Sequence, residues 1–258
     1  METEYRLSAD AAEFYQDTFV PALFGPWAQR LVAAADLHPG QTVLDVACGT
    51  GAVTRAAAGV AGPIVVGLDA NPAMLAVARR LRPDLDWRVG DAHALPFGDR
   101  TFDRVLCQAA LMFFTDPVAA LREMGRVGGR VAVSVPGRLS HSAGYAALTG
   151  VVTELAGDRA GALLGGYFAV GEPALLRSLW AGAGLVIERF ETQIGATRLP
   201  SLSTFLDAEL LPIADEVEPD VRRRIEVAAR TALAPYLGAD GSIAAPIEAH
   251  VITGIMSR

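Results

Sequence analysis

The sequence predicts an α/β protein: a doubly wound, seven-stranded, mostly parallel sheet with an N-terminal helical segment and a helical insertion before the last strand. Two observations carry this. Apolar strand-like runs alternate with helical patterns from about residue 40 to 135, as βαβ units require. Several of those runs are unbroken rather than alternating, which suits strands covered by helices on both faces.

The first 38 or so residues read as two helices broken near Pro21 and Gly25-Pro26, and they are rich in aromatics: Phe14, Tyr15, Phe19, Phe24 and Trp27. Strands are expected over Thr42 to Ala47, Ile64 to Leu68, Leu85 to Val89, Phe102 to Cys107 and Gly129 to Val135. Helices fall between them near Ala52 to Ala61, Pro72 to Leu81 and Pro117 to Val127. Asn71 and Asp116 each precede a proline and are placed to cap, with the proline at the first helical position. Beyond residue 136 comes a Gly/Ala-rich helical stretch, then a helix near Pro173 to Ala183 and a strand near Leu185 to Thr192. Helical segments around Leu202 to Ala214 and Pro219 to Leu237 lead to a last strand from about Ala249 to Met256. No Pro/Ser-rich linker separates the halves, so one domain is expected.

The 258 residues carry a net charge of -7, with 52% hydrophobic and 20% charged residues, the profile of a soluble globular chain with ample core material. There is no lysine, so all 22 basic residues are arginine. A lysine Schiff base and a phosphate loop ending in Gly-Lys-Ser/Thr are excluded. The two cysteines, Cys48 and Cys107, form no C-x-x-C pair and suit a reducing cytoplasm as small buried residues. The acidic start, Met1-Glu2-Thr3-Glu4, is followed by no apolar run of a secretory signal, and no uncharged stretch is long enough to span a membrane. The acidic balance points away from nucleic acid, and Arg222-Arg223-Arg224 reads as a solvated helix face.

The chemistry concentrates in Val43-Leu44-Asp45-Val46-Ala47-Cys48-Gly49-Thr50-Gly51, a strand running into a glycine-bearing turn that opens a helix. Gly49 and Gly51 let backbone approach a ligand there. The dinucleotide fingerprint wants a third glycine, but Thr54 stands in that register, which weakens a reading as an NAD(P) oxidoreductase. Asp45 suits a cationic ligand better than a pyrophosphate. Asp69 ends the second strand 24 residues later, near the offset at which a carboxylate accepts from ribose hydroxyls. Asp91 follows the third strand, so all three acids sit at the sheet edge where open α/β sheets bind ligands.

Taken together, Val43 to Gly51, Leu68-Asp69-Ala70-Asn71-Pro72-Ala73-Met74-Leu75, Gly90-Asp91-Ala92-His93-Ala94-Leu95-Pro96-Phe97, Phe102-Asp103 and Gly128-Gly129-Arg130 resemble a class I S-adenosylmethionine (SAM)-dependent methyltransferase. The resemblance is greatest to the small-molecule enzymes of the ubiquinone/menaquinone-biosynthesis type and covers residues 40 to 136. It implies a Rossmann-like methyltransferase fold, SAM as methyl donor and S-adenosylhomocysteine as product. By it, Ala47, Gly49 and Gly51 form the loop under the methionine part, with Ala47 in place of the motif's first glycine, and Asp45 lies beneath on the first strand. Asp69 with Ala70 holds the ribose. Asp91 accepts from the adenine amino group, the Ala92 N–H reaches a ring nitrogen, and Met74 and Leu95 pack near the base. Gln108 sits beside the methionine moiety, and Tyr15 and Trp27 match aromatics of an N-terminal lid whose faces suit a sulfonium.

The domain then reads as a lid over 1–38, a SAM-binding core over 40–136, helical substrate-side elements over 137–183 and 193–247, and closing strands over 185–192 and 249–256. Methyl transfer demands alignment and exclusion of water, with a general base where the nucleophile is a hydroxyl or an activated carbon. His141, just past the fifth strand, is the candidate base; His38, His93 and His250 are placed less well. Leu106 to Leu111 carries no acid, which disfavours a metal-dependent catechol-type enzyme, and no metal is expected. A small-molecule acceptor is the expected partner of a monomer or homodimer. A SAM-binding protein without methyl transfer and an NAD(P) oxidoreductase remain the alternatives.

Overall fold

The computed structural model describes residues 8–62, 64–214 and 217–257. The acidic first four residues lie outside that range. The chain divides into two compact units: Met1–Val135, Pro173–Glu191 and Val251–Arg258 form one, and Pro136–Glu172 with Thr192–His250 form the other.

The sheet has the order β3-β2-β1-β4-β5-β7-β6. Its strands are β1 (Val43–Val46), β2 (Val65–Asp69), β3 (Asp86–Val89), β4 (Phe102–Gln108), β5 (Gly128–Pro136), β6 (Leu185–Leu199) and β7 (Ile243–Met256). Pairings β1 with β2, β1 with β4, β2 with β3 and β4 with β5 are all parallel. The order reverses at β1, between β2 and β4, and a doubly wound sheet opens its ligand crevice at the carboxyl ends beside that point. In the first unit the helices are α1 (Ala9–Phe14), α2 (Gly25–Ala34), α3 (Ala52–Ala61), α4 (Pro72–Leu81) and α5 (Pro117–Val127), joined later by Pro173–Gly182. Asn71 and Asp116 cap α4 and α5 as expected, accepting from the N–H groups of Ala73 and Ala119. Leu31 and Val32 of α2, Val53 and Ala57 of α3, Val43, Val65 and Leu106 pack one side of the sheet into a single buried cluster. Cys48, Leu75, Ala78, Leu85 and Trp87 make another.

In the second unit α6 (Ala143–Ala156) packs on α7 (Asp158–Gly165), and a later helix over Pro219–Ala232 packs on α6. Tyr145, Leu148, Phe168, Phe205, Leu206, Ile225 and Ala229 are among its buried side chains.

Three expectations are corrected. The N-terminal helices are not broken at Pro21 or at Gly25-Pro26: α1 passes into a π-type helix over Tyr15–Phe24 and on into α2. The wider π turn tolerates the missing proline N–H, and Gly25 has no Cβ to press on the Val20 carbonyl, which would lie 2.8 Å from it. The strand expected to stop at Thr192 runs on to Leu199, burying Thr197 and Leu199 in alternation. The last strand starts at Ile243 rather than Ala249, with Ile243, Ala245 and Ile247 buried at period two. Pro246 inside it argues against a strand when only the sequence is read.

Candidate functional site

The site grows from the turn after β1. Ala47, Gly49 and Gly51 have φ of 55, 56 and 85°, so the chain reverses through three left-handed residues in five. Glycine meets no steric penalty there, whereas a left-handed alanine costs about 1 kcal/mol. The turn is held by Cys48 N–H to the Leu68 carbonyl (3.0 Å) and Gly51 N–H to the Cys48 carbonyl (2.8 Å). The two glycines serve different purposes. A Cβ on Gly51 would collide with the Trp87 indole, so this glycine admits a core side chain. A Cβ on Gly49 would meet nothing nearer than the Tyr15 ring at 3.9 Å. Gly49 is the one that leaves room for a ligand.

The two acids nearest the turn differ in kind. Asp45 is 1% exposed and accepts from Thr54 Oγ1 at 2.6 Å. Burial raises its pKa to about 7 against the opposing Thr54 hydrogen bonds. Thr54, where a third fingerprint glycine would stand, thus ties β1 to α3, and Asp45 braces the turn from within the core. Asp69, at the end of β2, accepts from the backbone N–H of Gly49 (2.7 Å) and of Asn71 (2.8 Å). Burial raises its pKa, and those two N–H donors work against the rise. Ala70 beside it is exposed.

After β3, Asp91 is exposed and Ala92 buried. Asp91 Oδ1 accepts from the His93 backbone N–H (2.8 Å) and faces His93 Nδ1 at 2.7 Å. The His93 N–H, then its ring, hold the Asp91 carboxyl below its ordinary pKa against desolvation. The other ring nitrogen, Nε2, lies 3.3 Å from the Asp116 N–H at the start of α5. The loop is clamped from α5 as well: Glu123 accepts from the Leu95 N–H at 2.9 Å, and Arg126 donates to the carbonyls of Leu95 and Phe97. Sequence reasoning missed Glu123, Arg126 and the bridging part of His93, because their partners are set by the fold. Met74 and Leu95 are buried.

At the end of β4, Gln108 Nε2 donates to the Phe24 carbonyl at 2.9 Å, while Gln108 Oε1 is buried with no hydrogen-bond partner among the described residues. Such an atom is costly unless a ligand supplies the donor. Tyr15 stacks on Phe24 at 5.1 Å between ring centroids. Trp27 is buried, and the cation over its ring is the Arg30 guanidinium at 4.3 Å. Tyr15, Asp69, Gly49 and Gln108 thus belong to the crevice end of the first unit, while Asp45, Gly51 and Trp27 serve its packing. Cys48 and Cys107 are free and buried, and burial pushes both thiols well above their ordinary pKa.

His141 lies in the second unit, in a short turn over Leu139–His141. Its Nδ1 is 2.8 Å from Glu248 Oε2 and 3.1 Å from Arg138 Nη2. Elsewhere in this unit the Tyr145 hydroxyl meets Thr197 Oγ1 at 2.6 Å and Glu209 Oε1 at 3.0 Å. Burial raises the pKa of Glu209 to about 7.

The family model described as "Methyltransferase domain" matches residues 44–133. The demethylmenaquinone methyltransferase of Renibacterium salmoninarum is 46% identical over 111 residues, which are 42% of this chain and 46% of that relative. The chain spans about half the length of the curated relatives it matches. The YcgJ protein of Bacillus subtilis shares the fold with a TM-score of 0.63 at 20% identity, over 90% of this chain and 99% of that one. The phosphoethanolamine N-methyltransferase 2 of Haemonchus contortus, in complex with S-adenosyl-L-methionine, does so with a TM-score of 0.58 at 17% identity, over the whole of this chain and 59% of that one. The resemblance read from the motifs is borne out for residues 44–133, and the fold is the Rossmann-like methyltransferase fold. No helix among the described residues is long and apolar enough to cross a membrane.

Proposed function

We propose that this protein is a cytoplasmic SAM-dependent methyltransferase, monomeric or homodimeric, that methylates a small molecule. The observation that carries the reading is the orphaned Gln108 Oε1 at the carboxyl end of β4. It is a buried acceptor in want of a donor, and the ammonium of a bound methionine moiety is one. The rest of the crevice fits the same ligand. Asp69 uses two backbone donors and keeps carboxylate lone pairs for ribose hydroxyls. Gly49 leaves the turn bare beside the methionine part, with the Tyr15 ring above it. Asp91 has one oxygen engaged by His93 and the other for an adenine amino group, with the Ala92 N–H beside it and Met74 and Leu95 as apolar neighbours.

Bound there, SAM supplies a methyl group on a sulfonium whose leaving group is a neutral thioether. The protein's task is then to orient the acceptor, exclude water and, where the nucleophile is protic, remove its proton. His141 is the residue we assign to that proton. An NAD(P) oxidoreductase is disfavoured by Thr54, whose hydroxyl is spent on Asp45 where the fingerprint's glycine would let helix and strand close up.

The test is transfer of isotope-labelled methyl from SAM to a panel of aromatic acceptors, with S-adenosylhomocysteine counted alongside. Labelled product and equimolar S-adenosylhomocysteine support methyl transfer. Tight SAM binding with neither favours a non-methylating role, and nicotinamide dinucleotide binding without SAM binding overturns the reading.

A further inference from the structure

The amino-terminal ends of the central strands carry arginines. Arg104 of β4 and Arg130 of β5 are register partners, so they stand side by side on one face of the sheet, where like charges repel. With Arg100, Phe102 and Ile255 they line a groove of about 410 Å³, a size that suits a small molecule. Every residue lining it belongs to the first unit. Arg130 is neutralised by Glu188, its Nε 2.9 Å from Oε2 and its Nη2 donating to Oε1 at 3.1 Å. Arg104 instead donates to carbonyls, those of Ala35, Asp103 and Asp36 at 3.0, 3.1 and 3.3 Å. Burial, then the Arg130 charge, lower its pKa against the pull of Asp36, Asp103 and Glu188. Asp103, also in the groove, turns its Oδ2 to the Thr42 N–H at 2.8 Å and the Thr42 hydroxyl at 2.9 Å. Arg100 is exposed and left-handed at φ 52°, and its side chain makes no hydrogen bond or ion pair among the described residues. A chain of net charge -7 thus keeps two guanidinium groups here with no carboxylate hydrogen-bonded to either.

We propose that this groove binds the phosphate group of a small organic molecule, with Arg100 and Arg104 meeting the charge and Phe102 and Ile255 the organic part. A phosphate monoester carries close to two negative charges at neutral pH and offers its oxygens to several N–H donors at once, which matches two guanidinium groups left without a carboxylate. Donors remain to serve it: Arg104 spends three of its five N–H groups on carbonyls, and Arg130 Nη1 is clear of Glu188. A left-handed arginine is strained where a glycine is not, and strain of this kind gathers at binding sites. Ile255, 38% exposed among the arginines, gives an organic substituent an apolar wall. The groove opens at the start of β4, whereas Gln108 stands at the other end of that seven-residue strand, roughly 20 Å away at about 3.3 Å per residue. A ligand here therefore leaves the turn after β1 open, and the inference does not depend on methyl transfer.

Calorimetry with phenyl phosphate at low ionic strength, where exposed charges are screened least, tests the site. The wild type should bind it more tightly than inorganic phosphate. Phenyl sulfonate, of similar shape but with one charge, should bind at least about fivefold more weakly. Two variants address the groove without disturbing the contacts of Arg104: Arg100→Gln removes the guanidinium that has no partner, and Ile255→Glu sets a carboxylate among the arginines. Each should weaken phenyl phosphate at least about fivefold with a melting temperature within a few degrees of wild type, and if Ile255→Glu does not fold, Arg100→Gln decides alone. No binding of phenyl phosphate by the wild type, or wild-type affinity in Arg100→Gln, overturns the site. Inorganic phosphate bound as tightly as the ester overturns the organic part, and phenyl sulfonate bound equally overturns the match to two charges. Competition between phenyl phosphate and S-adenosylhomocysteine moves the ligand to the crevice and overturns the groove as its place. A failure of S-adenosylhomocysteine to bind at all bears on the methyltransferase reading and leaves this test intact.

Discussion

The two units are built from similar polar parts but wired differently. In the first, the contacts of the three strand-end acids are short along the chain: Asp91 to His93 spans 2 residues, Asp45 to Thr54 spans 9 and Asp69 to Gly49 spans 20, and Gln108, which reaches Phe24 across 84, is the long one. In the second they are long: Tyr145 meets Thr197 across 52 residues and Glu209 across 64, and His141 meets Glu248 across 107. A sheet edge made of successive βα turns writes itself into local motifs. The second unit, assembled from separated segments, leaves only scattered polar residues in the sequence.

The largest effect is expected at the turn after β1. Gly51→Val should lose about 3 kcal/mol of folding stability in urea unfolding, from its positive φ and the collision with Trp87. Adding Trp87→Leu should return the packing part and leave the backbone part. No loss in the single variant would mean that Gly51 is there for a ligand after all.

Next come the two buried acids, one per unit. Asp45 and Glu209 both titrate near 7 when folded, against ordinary values near 4 when unfolded. The folded state therefore holds protons that the unfolded state has released. Stability contributed by each acid is complete below pH 4 or so and is lost as the pH rises to about 7. Asp45→Asn and Glu209→Gln should each reduce the fall in unfolding free energy between pH 5 and 8, read from urea titrations, by on the order of 2 kcal/mol. A pH slope removed by one substitution but not the other would show which unit governs unfolding.

These examples also explain what could be read in advance. The succession of strands and helices over residues 40 to 135, the caps Asn71 and Asp116, and the acids at strand ends are local or periodic signals, and the sequence carries them. The π helix through Pro21 and the early start of β7 through Pro246 are not legible, because in both places tertiary packing overrides a proline that locally signals a break. His141 can be singled out by its place after β5, but nothing nearby in sequence points to Glu248. Gly51 shows a different limit: its motif is plain, yet nothing nearby in sequence tells that Trp87 fills the space where its side chain would stand.

Smaller effects refine the first unit. His93→Ala frees Asp91 from its clamp and should weaken S-adenosylhomocysteine binding about fivefold by calorimetry, roughly 1 kcal/mol. Unchanged affinity would detach the Asp91 loop from the cofactor. Ala47→Gly relieves a left-handed alanine and should raise stability by up to about 1 kcal/mol in urea. A lower urea midpoint in that variant would show that the Cβ of Ala47 packs well enough to outweigh its backbone strain.

The central claim is that the carboxyl ends of β1, β2 and β4 bind SAM, and calorimetric titration with S-adenosylhomocysteine of wild type and Asp69→Asn tests it most directly. The wild type should bind, and the variant, folded to the same melting temperature within a few degrees, should bind at least about 30-fold more weakly, a loss near 2 kcal/mol. Equal affinity in the two proteins, or no heat of binding in the wild type, would contradict it.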